Sequence, residues 1–217
     1  MPAIFGPRAN LLTNVGLLAF AGLGSLTAFL IWGVPRSQYN TQQSLTPPQP
    51  VPFSHKHHVG DDGIDCRYCH STVEISANAG VPATATCMTC HSQLFTQSDV
   101  LAPVRASYLQ HKNLRWNRVY ALPDYVYFDH SIHVAKGVGC TECHGPIGAM
   151  PLTRRASDLT MQWCLDCHRD PGPHLRPHDQ EFNAFWQRTK ETPSADQLVA
   201  AYHIHTADLT DCTVCHR

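Results

Sequence analysis

Between Phe53 and His70 the sequence reads FSHKHHVGDDGIDCRYCH, which places four histidines and two cysteines within eighteen residues. Side chains of these two types bind metals, form disulfides or attach cofactors. The rest of the chain narrows the choice. All ten cysteines fall into five Cys-x-x-Cys pairs, and a histidine follows each pair at once. The five motifs are Cys66-Arg-Tyr-Cys69-His70, Cys87-Met-Thr-Cys90-His91, Cys140-Thr-Glu-Cys143-His144, Cys164-Leu-Asp-Cys167-His168 and Cys212-Thr-Val-Cys215-His216. They are numbered 1 to 5 below.

Cys-x-x-Cys-His is the signature of covalent haem c attachment. Cysteines at i and i+3 lie on one side of a helical turn, where both thiols reach the two vinyl groups on one porphyrin edge. The next residue then offers its imidazole to the iron. Disulfides would use ten cysteines without requiring a histidine after each pair. With 15 histidines in 217 residues, five such neighbours arise by chance with a probability on the order of 10⁻⁶. Zinc sites combine two such knuckles or add a His-x₃₋₅-His pair, and a redox Cys-x-x-Cys would occur once. The expectation is five haem c groups, attached through Cys66, Cys69, Cys87, Cys90, Cys140, Cys143, Cys164, Cys167, Cys212 and Cys215. The proximal iron ligands are then His70, His91, His144, His168 and His216.

A repeat selects candidates for the opposite side of each iron. Phe53-Ser-His55-Lys-His57-His58 matches Phe128-Asp-His130-Ser-Ile-His133, and each is followed by two motifs. His57 aligns with Ile132 and drops out. On a helix, residues i and i+3 diverge by about 60° around the axis, so two such imidazoles can serve two neighbouring porphyrins while the Phe covers a haem face. His205 precedes Cys212 by seven residues, as His133 precedes Cys140, but the counterpart of His130 is Tyr202. The distal set is therefore His55, His58, His130, His133 and His205. Met161 and Met150 are the alternatives, since a thioether ligand would raise the potential of its haem. His111, His174 and His178 have no counterpart in the repeat.

Certain elements must hold these residues. Leu11 to Val34 is an almost wholly apolar run flanked by Arg8 and Arg36, long enough to cross a bilayer with some tilt. It is expected to stay in place as a single membrane anchor rather than a cleaved signal. Gly24, Ala28, Ala21 and Ser25 would let another membrane helix approach. The expected organisation is an anchor over 1–34, a Pro/Gln-rich tether over 35–52, a dihaem unit over 53–91 and a connector over 92–127. A second dihaem unit spans 128–168, and a helical insertion with the fifth haem spans 169–217. Gln180–Lys190 and Ala195–Tyr202 read as helices, the second with a capping box from Ser194 and Gln197. VYALPDYVYFD reads as a short extended piece beside a haem. The fold class is a multihaem cytochrome c, mostly irregular chain with short α-helices around the haems plus one transmembrane helix. Porphyrins replace an ordinary core, for which aliphatic residues are sparse. A net charge of −1 gives no broad basic field for nucleic acid.

The anchor, the two Phe-x-His-x-x-His units and the stretches AGVPATATCMTCH, LPDYVYFDHSIHV, CTECHGPIGAM and SDLTMQWCLDCHR resemble the pentahaem cytochrome c subunit of bacterial alternative complex III, a class III or c7-like multihaem cytochrome. The resemblance implies a menaquinol-oxidising membrane complex. Its partners would be other integral-membrane subunits, an iron–sulfur subunit and a monohaem cytochrome or other redox acceptor, with membrane lipid around the anchor. It also implies methionine ligation at some haems.

The expected function is electron transfer, not catalysis by this chain alone, because two protein ligands on every iron leave no position for a substrate. Haem c attachment occurs outside the cytoplasmic membrane, so the haem domain is expected on the periplasmic side and the amino terminus in the cytoplasm. Two alternatives compete. One is an anchored quinol dehydrogenase feeding a nitrite or nitrate reductase, which places its first haem at the membrane. Here 31 residues separate Val34 from Cys66. The other is a multihaem reductase with one open iron.

Overall fold

The structure is a computed structural model that describes residues 6 and 8–216. The first residues of the expected anchor, 1–5 and 7, lie outside the described residues. The chain divides into two compact units, Met1–Gln42 and Gln43–Arg217.

The first unit is a long helical run, α-helical over Ala9–Ala28 and continuing to Arg36, then a separate helical turn Gln38–Thr41 after the extended Ser37. Its apolar residues form no amphipathic stripe, and large side chains such as Leu18, Phe20 and Ile31 are exposed all round, so the helix is long and apolar enough to cross a membrane. The turn Phe29–Gly33 is wider than the rest, with the Val34 N–H donating to the Phe29 carbonyl five residues back. Pro35 explains the local change. It has no N–H for the Ile31 carbonyl, and its ring crowds that turn. Beyond it the Arg36 guanidinium lies 4.5 Å from the centre of the Trp32 ring and donates to the Trp32 carbonyl at 3.1 Å.

The second unit is built from short helices and irregular chain. Its described residues contain no strand, only isolated bridges pairing Val126 with His216 and Val138 with Leu175. Each motif occupies a helical turn: Cys66–Cys69, Thr84–His91, Cys140–His144, Met161–Arg169 and Cys212–Cys215. Asp65 and Thr160 cap two of these by accepting from the N–H groups of Arg67 and Trp163, satisfying donors that a short helix cannot pair internally. Only seven apolar side chains are buried among the described residues, Val51, Val73, Val104, Val134, Met150, Leu175 and Leu198. So few cannot stabilise a domain of this length by themselves.

Three expectations about the connecting chain need correction. Residues 43–52 are not a free tether. Ser44 and Leu45 exchange backbone hydrogen bonds with Arg155, Gln43 donates to the Ala156 carbonyl, and Gln49 and Asn117 bond each other twice. Proline removes donors but leaves carbonyls and glutamine side chains free to bind along the body of the unit. Gln180–Lys190 is not a helix. The Asn183 side chain accepts from the Phe185 N–H, and Arg188 reaches the Pro193 and Leu175 carbonyls, local bonds that compete with helical ones. The connector contains a helix that the sequence reading did not mark, Ala102–Gln110, starting with Pro103 in its first turn. Its Ser107 is buried and hydrogen-bonds Thr84 at 2.7 Å, against the helix of motif 2. The Ala195–Ala201 helix has the expected capping box, with both the Ser194 and Gln197 side chains engaged.

Candidate haem-binding site

The two Phe-x-His-x-x-His segments adopt the same local geometry, although one follows a wide turn (Lys56–Asp61) and the other an α-helix (His130–Ala135). Phe53 meets His55 edge-on at 4.9 Å and stacks on His58 at 4.5 Å. Phe128 meets His130 edge-on at 4.7 Å and stacks on His133 at 4.5 Å. The phenylalanine thus touches both imidazoles of its segment.

Three of these histidines face a motif histidine. His55 and His70 are 6.5 Å apart between ring centres with planes 10° from parallel. His58 and His91 are 6.1 Å apart, and so are His133 and His168. The pKa of His144 is lowered mainly by burial, with His130 the first of the histidines that add to the effect, and its ring contact is with Tyr120 at 4.4 Å. A metal–nitrogen bond of about 2 Å on each side accounts for roughly 6 Å between two imidazole centres. The pairs therefore have the spacing that a shared iron needs. In the first unit the first histidine faces the first motif that follows it and the second histidine faces the second, and in the second unit His133 likewise faces the second motif.

The other ring nitrogen is held in the way metal-binding histidines require. Nδ1–H donates to a backbone carbonyl in His58 (Ser54, 2.9 Å), His70 (Gly80, 2.7 Å), His91 (Leu94, 3.3 Å), His130 (Ala77, 2.8 Å), His133 (Asp129, 2.6 Å), His168 (Leu209, 2.9 Å) and His216 (Tyr125, 3.1 Å). His55 pairs with the Thr153 hydroxyl at 3.0 Å. Nε2 is left to point at a metal. Burial holds the His144 and His55 imidazoles down at about 4, with neighbouring histidines adding to the effect, and it lowers His133 as well. These rings are thus kept neutral, the form that binds metal.

Thiols of different motifs influence one another electrostatically. Cys69 is within electrostatic reach of Cys87, Cys66 of Cys140, Cys143 of both Cys164 and Cys167, and Cys164 of Cys215. Burial pushes Cys143 up to about 12 and Cys167 up to about 11. Cys90 and Cys212 are the exposed members of the ten. Among the described residues, no three His, Cys, Asp or Glu side chains converge as a zinc site would.

The remaining candidates are placed differently. His205 is exposed in a turn, and no contact joins its ring to His216. The unit rule leaves it a second-position histidine with no second motif to face. Met150 is fully buried beside Gly145, behind motif 3. Met161 is exposed at the start of the helix that carries Cys164. His174 and His178 are engaged by Glu142 and Glu181.

One residue was not marked by the sequence reading. Arg176 is buried and donates to the Thr141 hydroxyl and the Glu142 carboxylate, each at 2.8 Å, so both variable residues of motif 3 are bound to it. It lies over the Trp186 ring at 4.6 Å. Gly139 leaves the room, since a Cβ there would come within 2.2 Å of the guanidinium. Its position in a proline-rich stretch, RDPGPHLRPHDQ, gave no hint of burial.

Comparison with known proteins agrees with this site. Residues 34–117 match the Class III cytochrome C family, and residues 126–217 match Cytochrome c7 and related cytochrome c. The menaquinone reductase multiheme cytochrome c subunit of Nitratidesulfovibrio vulgaris (strain Hildenborough) is 36% identical over 204 residues, covering 91% of this chain and 88% of that protein. The chain belongs to the multihaem cytochromes c. A member of this family binds haem c covalently and transfers electrons. The paired imidazoles and the neighbouring thiols fit that group. The buried apolar residues, too few to form a core alone, fit it as well.

Proposed function

We propose that the chain carries five haem c groups and serves as the electron-transfer subunit of a membrane-bound, menaquinone-linked oxidoreductase. The recurrence of facing imidazoles in both Phe-x-His-x-x-His units carries this reading. Bound haem supplies one-electron chemistry at its iron. The chain supplies two thiols and a proximal histidine to each site. It closes sites 1 to 4 from the far side with His55, His58, His130 and His133 respectively. Two histidine ligands per iron leave no position for a substrate, so these sites relay electrons and do no chemistry of their own. At site 5, His205 and Met161 compete to complete His216. His205 keeps the seven-residue lead over its motif, and Met161 lies on the helix whose Cys164 neighbours Cys215.

The apolar helix within Ala9–Thr41 is the anchor. Haem c is attached outside the cytoplasmic membrane, which puts the haem-bearing unit on the periplasmic side and the amino terminus in the cytoplasm. Other membrane and iron–sulfur subunits handle the quinone. The name of the 36% identical relative favours electron flow toward menaquinone. The motif resemblance to alternative complex III favours flow from menaquinol to a periplasmic cytochrome. Purification from native membranes with identification of the associated subunits tests both directions. Co-purification of a multi-helix quinone subunit, with menaquinone reduced by the complex, supports the first. Menaquinol oxidation by the complex supports the second. A chain isolated without partners, and inert with either quinone form, contradicts the proposal.

A further inference from the structure

We infer that the chain arranges its haem sites in one unbranched file in the order 2–1–3–4–5, so that the sequence order is broken at its start and sites 2 and 5 form the two ends. This rests on the five-haem reading above.

Four junctions carry the inference. Sites 2 and 1 are joined twice. His55 and His58, three residues apart, face His70 and His91, and the Tyr68 hydroxyl of motif 1 hydrogen-bonds the Thr89 hydroxyl of motif 2 at 2.7 Å. Sites 1 and 3 meet across distant sequence. The Cys66 thiol approaches the Phe182 carbonyl at 3.7 Å, while the Cys140 N–H donates to the adjacent Glu181 carbonyl at 3.3 Å. Two further ties close this junction: Lys56 N–H donates to the Met150 carbonyl, and His130 is held through both its N–H and its ring to Ala77, in the loop after motif 1.

Sites 3 and 4 share the His130–Ala135 helix, whose His133 faces His168. Residues three apart on a helix are separated by only about 5–6 Å at Cβ, so the sites they complete are neighbours. Sites 4 and 5 join where the His168 ring donates to the Leu209 carbonyl at 2.9 Å, three residues before Cys212.

Two further features agree. The electrostatic influences between thiols of different motifs run in the same order, from Cys87 through Cys69, Cys66, Cys140 and Cys143 to Cys164 and Cys215. The exposed cysteines, Cys90 and Cys212, belong to motifs 2 and 5, the ends of the file. A file folded in this way puts the two-haem units in contact through their first motifs. The second motif of the first unit then lies at one end, and the appended fifth motif lies at the other.

The test uses the full haem-loaded chain. Mass spectrometry counts the covalent haems, and anomalous scattering at the iron edge from crystals locates the irons. The inference expects five irons whose nearest-neighbour links are 2–1, 1–3, 3–4 and 4–5. Five irons with site 2 beside site 3, or with site 5 beside any site but 4, overturn the order and leave the five-haem reading standing. Fewer than five haems overturn both.

Discussion

The imidazoles of His55 and His70 face each other at 6.5 Å, almost parallel, although fifteen positions separate them in the chain. A similar spacing, 6.1 Å with the planes tilted by 35°, recurs for His133 and His168, where a different pair of segments builds it. A spacing produced twice from independent stretches of backbone reflects a shared requirement, and an iron held between two neutral imidazoles provides one.

Removing one distal imidazole should open one iron. His133→Ala is expected to retain all five covalent haems while one haem becomes high-spin, as read by electron paramagnetic resonance and the visible spectrum. An unchanged spectrum would remove His133 from the ligand set. The same measurement on His205→Ala and Met161→Ala decides site 5, because only the true ligand's loss adds a high-spin signal.

Arg176 should matter more for folding than its place in a loop suggests. Arg176 is buried while Glu142 is partly exposed, so Arg176→Ala removes the buried half of the pair and leaves Glu142 without its main partner. A lowered unfolding midpoint is expected. Gly139→Ala should give a similar loss, because the added methyl meets the guanidinium. Wild-type stability in both variants would mean that the buried cation does not hold motif 3.

Ser194→Ala removes a cap whose two reciprocal hydrogen bonds are both made. The expected cost is about 1 kcal/mol, seen as faster amide exchange in Ala195–Ala201 with the haem spectrum unchanged. Slow exchange equal to wild type would show that Leu198, buried on that helix, holds it alone.

Much of this arrangement is legible in the sequence. The five motifs and the Phe-x-His-x-x-His repeat are local, so residue type and spacing express them directly. The capping box is local too. What escaped is non-local. Nothing near Arg176 reveals that Gly139 and Trp186 will enclose it, and the glutamines of the expected tether find their partners 68 and 113 residues away. The 180–190 stretch has helix-forming composition, but asparagine and arginine side chains claim the backbone groups a helix would use. The repeat marks the candidate distal histidines, while which motif each one faces depends on how the chain folds within its own unit.

The anchor reading predicts that a chain lacking residues 1–42 and exported behind a cleavable signal is soluble and loaded with haem. The cut falls where the compact units divide. A product that stays in the membrane fraction without partners would contradict a single anchor.

The most direct test of the account is the mass of the purified, denatured, full-length chain. Thioether bonds survive acid–acetone treatment, so the account predicts a polypeptide carrying five haems on its ten cysteines. A chain that loses its colour under that treatment, or one carrying zinc or disulfides in place of haem, would contradict it.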